Sequence, residues 1–147
     1  LALCWGFAVL IPWAAATGGL SGGWPLGLCW AATLLWTFGF DTVYAMADRP
    51  DDARVGIRSS ALSLGPRAPG AVALCYGLAA LLLAVAAAMA GVAAPFWPLW
   101  LLAAFGMQRE ARQLHQPDLP GSAYGRHFQR QVLLGALLLL ALVVGRS

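Results

Sequence analysis

The chain has 147 residues, of which 61% are hydrophobic and only 10% charged, with a mean hydropathy of +0.73. Soluble domains carry about 25% charged residues, so this composition excludes an ordinary water-soluble globule and points to the membrane. The net charge of +3 rests on nine arginines without a single lysine. A pI near 9.1 would suggest nucleic acid in a soluble protein, but here the arginines read as topology signals and anion ligands, and no nucleic-acid partner is expected.

Taken in order, Leu1 to Ala16 is apolar and rich in Trp. It opens inside an apolar run with neither an initiator Met nor a basic leader, so no signal peptide is read and further chain is expected upstream. Thr17 to Gly23 is a glycine turn. Trp24 to Ala47 holds one charge, Asp41, and as a helix rising about 1.5 Å per residue it is long enough to span. Asp48 to Gly70 is polar, with Pro50 predicted to break or restart the helix and Pro66 and Pro69 to close the loop. Ala71 to Ala94 is uncharged and the clearest span. Pro95 and Pro98 mark a turn beside Trp97 and Trp100, an aromatic belt. A shorter apolar run reaches Met107, and its helix is expected to continue through Gln108, Arg109, Glu110 and Arg112. Leu114 to Arg130, with Pro117, Pro120 and Gly121, reads as a second polar loop. Val132 to Gly145 is the last apolar run.

The fold class is therefore all-α, a transmembrane bundle of about five spans in one domain, 1–147. Crossing at each span puts loops 48–70 and 109–130 on one side, and those loops hold eight of the nine arginines. By the positive-inside rule that side is the cytoplasm and Ser147 lies opposite. The expectation is a multi-pass protein of the inner or plasma membrane. Cys4, Cys29 and Cys75 read as small buried hydrophobes, with no disulfide or zinc pattern. His115 and His127 read as solvated loop residues, although a metal or base role is open to them. Arg109, Arg112, Tyr124, Arg126 and Arg130 read as markers of the membrane edge, with diphosphate binding as the alternative. Most tryptophans read as interface anchors, and glycines within spans as close-packing points.

The chemistry concentrates between Asp41 and Gly65, which holds four of the six acidic residues. Asp41, Tyr44, Asp48 and Asp52 are spaced three, four and four apart and form one stripe on a helix. A carboxylate in hydrocarbon costs about 2.5–3.5 kcal/mol or more, which marks it as functional. Converging carboxylates repel, and a hard cation such as Mg²⁺ relieves them. The competing reading, a solvated loop paired with Arg49, Arg54 and Arg58, is weakened by the depth of Asp41 and by the adjacency of Asp51 and Asp52. Metal, acids and arginines at a membrane face suit a phosphorylated lipid, with arginines clamping the phosphate.

Residues Asp41 to Ser60, DTVYAMADRPDDARVGIRSS, carry the pattern D-x-x-Y-A-x-x-D-x-x-D-D-x-x-x-G-x-[KR]-S. It resembles the second aspartate-rich motif of the UbiA superfamily of intramembrane aromatic prenyltransferases, most of all the 4-hydroxybenzoate polyprenyltransferase branch. The resemblance implies a helical bundle, commonly of nine spans, with two Asp-rich motifs facing each other across a cytoplasm-facing cavity. It implies that Asp48 and Asp52 hold Mg²⁺ on a polyprenyl diphosphate, supported by Asp51 and Asp41. Arg58 and Arg49 would bind the substrate, and Tyr44 would line the cavity. Asp41, Asp48 and Asp52 are thus the expected catalytic group. The partners implied are the polyprenyl diphosphate, an aromatic acceptor and the lipid bilayer, and the product is 3-polyprenyl-4-hydroxybenzoate, a quinone precursor.

The family's first motif, of N-D-x-x-D-x-x-x-D type, does not occur in these residues, which contain no Asn. The five spans would then be the C-terminal part of the bundle. Three rivals stand beside this reading. One is another branch of the superfamily, acting on homogentisate, a naphthoate, chlorophyllide or haem. A CDP-alcohol phosphotransferase would need D-x-x-D-G-x-x-A-R, and no Asp-Gly pair occurs. A transporter subunit would not need the Tyr-Ala and Gly-x-Arg-Ser framing. The 147 residues alone are expected to be inactive with Mg²⁺, a polyprenyl diphosphate and 4-hydroxybenzoate; turnover above background would refute this.

Overall fold

The computed structural model describes residues 2–116 and 119–146; Leu1, Pro117, Asp118 and Ser147 lie outside the described residues. Its regular elements are all helical: α1 (Ala2–Thr17), α2 (Gly23–Ala47), α3 (Arg49–Val55), α4 (Ser60–Leu64), a 3-10 turn (Gly65–Arg67), α5 (Ala68–Met89), α6 (Phe96–Gln113) and α7 (Gly121–Val144). Hydrocarbon offers backbone groups no partner, so long apolar runs satisfy themselves as helices. Prolines mark the starts. Pro50 and Pro69 fall in the first turns of α3 and α5, where a missing N–H costs nothing.

Three helices are long and apolar enough to cross a membrane: Gly23–Ala47, the continuous helical stretch Ser60–Met89, and Gly121–Val144. The expected five spans thus resolve unequally. α1 is apolar but has 16 residues, and α6 ends in the polar stretch Gln108 to Gln113. The expected loop Leu114 to Arg130 is corrected most. Pro120, in extended backbone (φ −67°, ψ 148°), launches α7 directly. The helix therefore starts eleven residues before the apolar run, and its first three turns carry the polar residues.

α2 is the axis of the bundle, packing on α5 most extensively and also on α1, α4 and α7. The main core gathers Val43 and Met46 from α2, Val72 and Tyr76 from α5, Met107 from α6 and Leu138 from α7. Outward faces carry Leu101, Phe105, Leu133 and Leu139, all well exposed, as suits helices whose solvent is lipid. Polar ties join neighbours: the Trp100 indole N–H donates to the Ala80 carbonyl at 3.0 Å, the Gln108 amide to the Ala73 carbonyl at 2.9 Å, and Arg130 to Glu110 at 2.8 Å.

At Gly39, α2 and α5 meet with no room for a side chain on α2. A Cβ there would lie 2.7 Å from Cε1 of Tyr76, and Tyr76 is fully buried. Small residues let backbones approach in this way where no hydrophobic drive separates helix from lipid. Gly39→Ala should destabilise the bundle by about 1–3 kcal/mol through overpacking, read as a lower thermal midpoint in detergent; an unchanged midpoint would mean that the ring shifts freely.

Candidate active site

The site begins where α2 stops. Asp48 closes α2 and opens α3 with one backbone conformation (φ −93°, ψ 3°). Its N–H donates to the Tyr44 carbonyl at 3.1 Å, and its own carbonyl accepts the N–H groups of Asp51 (3.0 Å) and Asp52 (2.9 Å). The chain therefore turns an elbow at Asp48 with the N–H and carbonyl of Asp48 both bonded. Asp51 and Asp52 stand in the first turn of α3, the end of a helix that favours negative charge.

Motif residues beyond the acids have local duties. Gly56 ends α3 with φ +77°, a left-handed conformation that favours glycine. The Ser59 hydroxyl accepts the Leu62 N–H at 3.4 Å and caps α4. Arg58, between them, is exposed. Arg49 is half-buried and reaches back, its Nη2 donating to the carbonyls of Ala61 and Gly65, each at 3.2 Å. This brace ties α3 to α4 and to the 3-10 turn before α5.

The predicted ladder of acids divides in two. Asp41 and Tyr44 line an open hollow of about 440 Å³ together with Trp5, Trp36, Phe40 and Gln131. Asp48, Asp51 and Asp52 do not line it; Asp48 is seven residues along, about 10 Å by helical rise. Asp51 is exposed and paired with Arg54 at 2.7 Å. The carboxylates of Asp48 and Asp52 take no hydrogen bond among the described residues. No three His, Cys, Asp or Glu side chains among the described residues form a ready cage for a metal ion. The donor set nonetheless fits Mg²⁺, which is usually held by one or two carboxylates plus substrate phosphates and waters, not by an all-protein cage. Asp48 and Asp52 offer two such carboxylates one helical turn apart.

Aromatic rings pin α7 beside the ladder. Tyr44 stacks on Phe128 with centroids 3.8 Å apart and planes at 16°, and Phe40 lies 4.9 Å from the same ring. Near the far ends of the same helices lies a second cavity of about 360 Å³, almost wholly apolar, lined by Leu26, Cys29, Leu83, Phe96 and Leu142 among others.

Two buried polar residues escape the sequence reading. His127, expected in a solvated loop, is 2% exposed, and its Nε2 shares a 3.0 Å hydrogen bond with the Tyr76 hydroxyl. Gln131 is 1% exposed. Its Oε1 accepts the Trp36 indole N–H at 3.2 Å, so this tryptophan is not an interface anchor. The Nδ1 of His127 and the Nε2 of Gln131 are buried without a partner among the described residues. The signal was spacing: 127, 131, 138 and 141 are the buried positions of α7, a single helical face.

The model of the UbiA prenyltransferase family matches residues 1–129. The chain is 40% identical over 146 residues to a 4-hydroxybenzoate solanesyltransferase of Synechocystis sp., covering 99% of this chain and 49% of that protein. It is 44% identical over 91 residues to a 4-hydroxybenzoate octaprenyltransferase of Neisseria gonorrhoeae, covering 62% and 31% respectively. With the octaprenyltransferase of Aromatoleum aromaticum the identity is 32% over 148 residues, covering 98% and 48%. The chain thus spans half or less of the length of these curated relatives. No solved structure matches it. An all-helical bundle, helices fit to cross a membrane and a family match over most of its length lead to one conclusion: the chain belongs to the UbiA prenyltransferase family.

Proposed function

We propose that the chain is the C-terminal part of a membrane prenyltransferase that moves a polyprenyl group from its diphosphate onto the ring of 4-hydroxybenzoate. The single observation that carries this is the pair of uncommitted carboxylates at the elbow, Asp48 and Asp52, beside an aromatic hollow that contains Asp41 and Tyr44. Three relatives named for 4-hydroxybenzoate support the acceptor.

In this reading Asp48 and Asp52 would hold Mg²⁺, and that ion would supply neutralisation of the diphosphate's negative charge. Asp51, anchored by Arg54, adds negative charge to the same elbow. Arg58 and the free N–H groups of Arg49 take the outer phosphate oxygens. Asp41 and Tyr44 border the space for the acceptor. The ring carbon beside the hydroxyl, meta to the carboxylate, bonds to the allylic carbon; diphosphate leaves with the electron pair of the C–O bond, and the ring loses a proton. The apolar cavity near the opposite ends of the helices gives the tail a dry place along α2. The elbow faces the cytoplasm, where a soluble acceptor and Mg²⁺ are at hand.

In the full-length protein in membranes, Asp48→Asn and Asp52→Asn should each lower prenyl transfer to 4-hydroxybenzoate by about 10²–10³-fold, the scale expected when stabilisation of developing charge is lost. Asp51→Asn should cost far less, and chelating Mg²⁺ should abolish transfer reversibly. A labelled-prenyl assay reads all three. Full activity in Asp48→Asn would remove the metal role; transfer by the unaltered protein to homogentisate but not to 4-hydroxybenzoate would reassign the acceptor.

A further inference from the structure

We propose that the hollow between α2 and α7 is a site for a phenolic hydroxyl, with the Gln131 amide donating to the phenol oxygen and the Asp41 carboxylate accepting the phenol O–H. This rests on the proposed prenyltransferase function and assigns which end of the acceptor enters, and what recognises it.

The orientation of the Gln131 amide is fixed by its neighbour. An indole N–H can only donate, so the 3.2 Å bond from Trp36 must meet Oε1. That leaves both hydrogens of Nε2 facing elsewhere, and Nε2 is buried without a partner among the described residues. Buried donors in folded proteins are almost always satisfied, so an orphan calls for a missing acceptor. Gln131 also lines the 440 Å³ hollow, so a ligand oxygen seated there against the amide would be that acceptor. Trp36 is itself held in place: Gly135, one turn beyond Gln131, has no Cβ, and one added there would lie 3.0 Å from the indole Cη2.

The rest of the lining selects the ligand. Trp5, Phe40 and Tyr44 present aromatic surface for a flat ring, and a volume of 440 Å³ lies within the usual range for small-ligand sites. Among the described residues, Asp41 is the only formally charged one that lines the hollow. A carboxylate entering beside it would be repelled, whereas a hydroxyl has one hydrogen for Asp41 and lone pairs for Gln131. The hydroxyl end of a hydroxybenzoate therefore enters and its carboxylate points outward. Seating the ring by this oxygen also fixes the adjacent carbon, the one that is to be prenylated.

The test uses the full-length protein in detergent and measures binding of 4-hydroxybenzoate and of benzoate, which lacks the hydroxyl, by equilibrium dialysis. Gln131→Leu should weaken 4-hydroxybenzoate about tenfold, the scale of one lost hydrogen bond, and leave benzoate within about twofold. Its thermal midpoint without ligand does not discriminate, because the variant removes a buried orphan donor but also takes the acceptor from the Trp36 indole N–H; the ratio of the two ligands is the readout. A purely structural Gln131 would weaken both ligands alike. Trp36→Phe, which frees the amide to rotate, should show a smaller loss with the same selectivity, and decides the matter if Gln131→Leu does not fold. Equal effects on both ligands, or none on either, overturn the proposal. Prenyl transfer by the unaltered protein is assayed alongside: its absence would overturn the proposed function, while the ratio of the two binding constants still judges the site.

Discussion

The ring of Tyr76 lies against the bare backbone of Gly39, and this contact governs how three helices meet. It brings α5 onto α2 more closely than any side chain at position 39 would permit. The hydroxyl on the other end of the ring then bonds His127 at 3.0 Å and draws in α7. Once α7 is docked, Phe128 falls onto Tyr44 and Gln131 under Trp36. The aromatic hollow follows from a packing contact on the same stretch of α2, between Trp36 and Tyr44, so its walls are set by packed helices and not by a movable flap.

The acids are positioned by another device, the backbone itself. Asp48 ends one helix and begins the next, so the side chains of Asp41, Tyr44 and Asp48 follow α2 while Asp51 and Asp52 follow α3. This separates two kinds of environment along one motif. The half-buried Asp41 sits among aromatic rings in the hollow. Asp48 is exposed and Asp52 half-buried, both outside the hollow, where water and a hydrated cation have access. A single straight helix would have kept all of them on one stripe at one spacing.

Much of this was legible in the residues. Gly23–Ala47 lies one residue from the apolar run beginning at Trp24, because glycine and charge mark its borders clearly. A helix restart near Pro50 and the family were readable from the sequence alone. The start of α7 was not, because its first turns contain Arg126, His127, Gln129, Arg130 and Gln131, and average polarity hides a helix whose inward stripe is itself polar. Gln131 and His127 look like loop residues until their four-residue spacing is set against the buried Leu138 and Ala141. The split of the acid ladder was hidden for a different reason. Helical periodicity says which residues share a face, but not that the axis bends at Asp48.

The Arg49 brace has a consequence for how the elbow works. By holding the carbonyls of Ala61 and Gly65, it closes the chain from the start of α3 to the 3-10 turn into a ring, and Gly39 against Tyr76 holds together α2 and α5 on either side of it. Mutual repulsion among Asp48, Asp51 and Asp52 cannot spring such a ring open. Its shape is already present before any cargo arrives, and little conformational entropy is left to lose on capture. Binding free energy at the rim is then available for the charged group itself instead of being consumed in folding a loop around it.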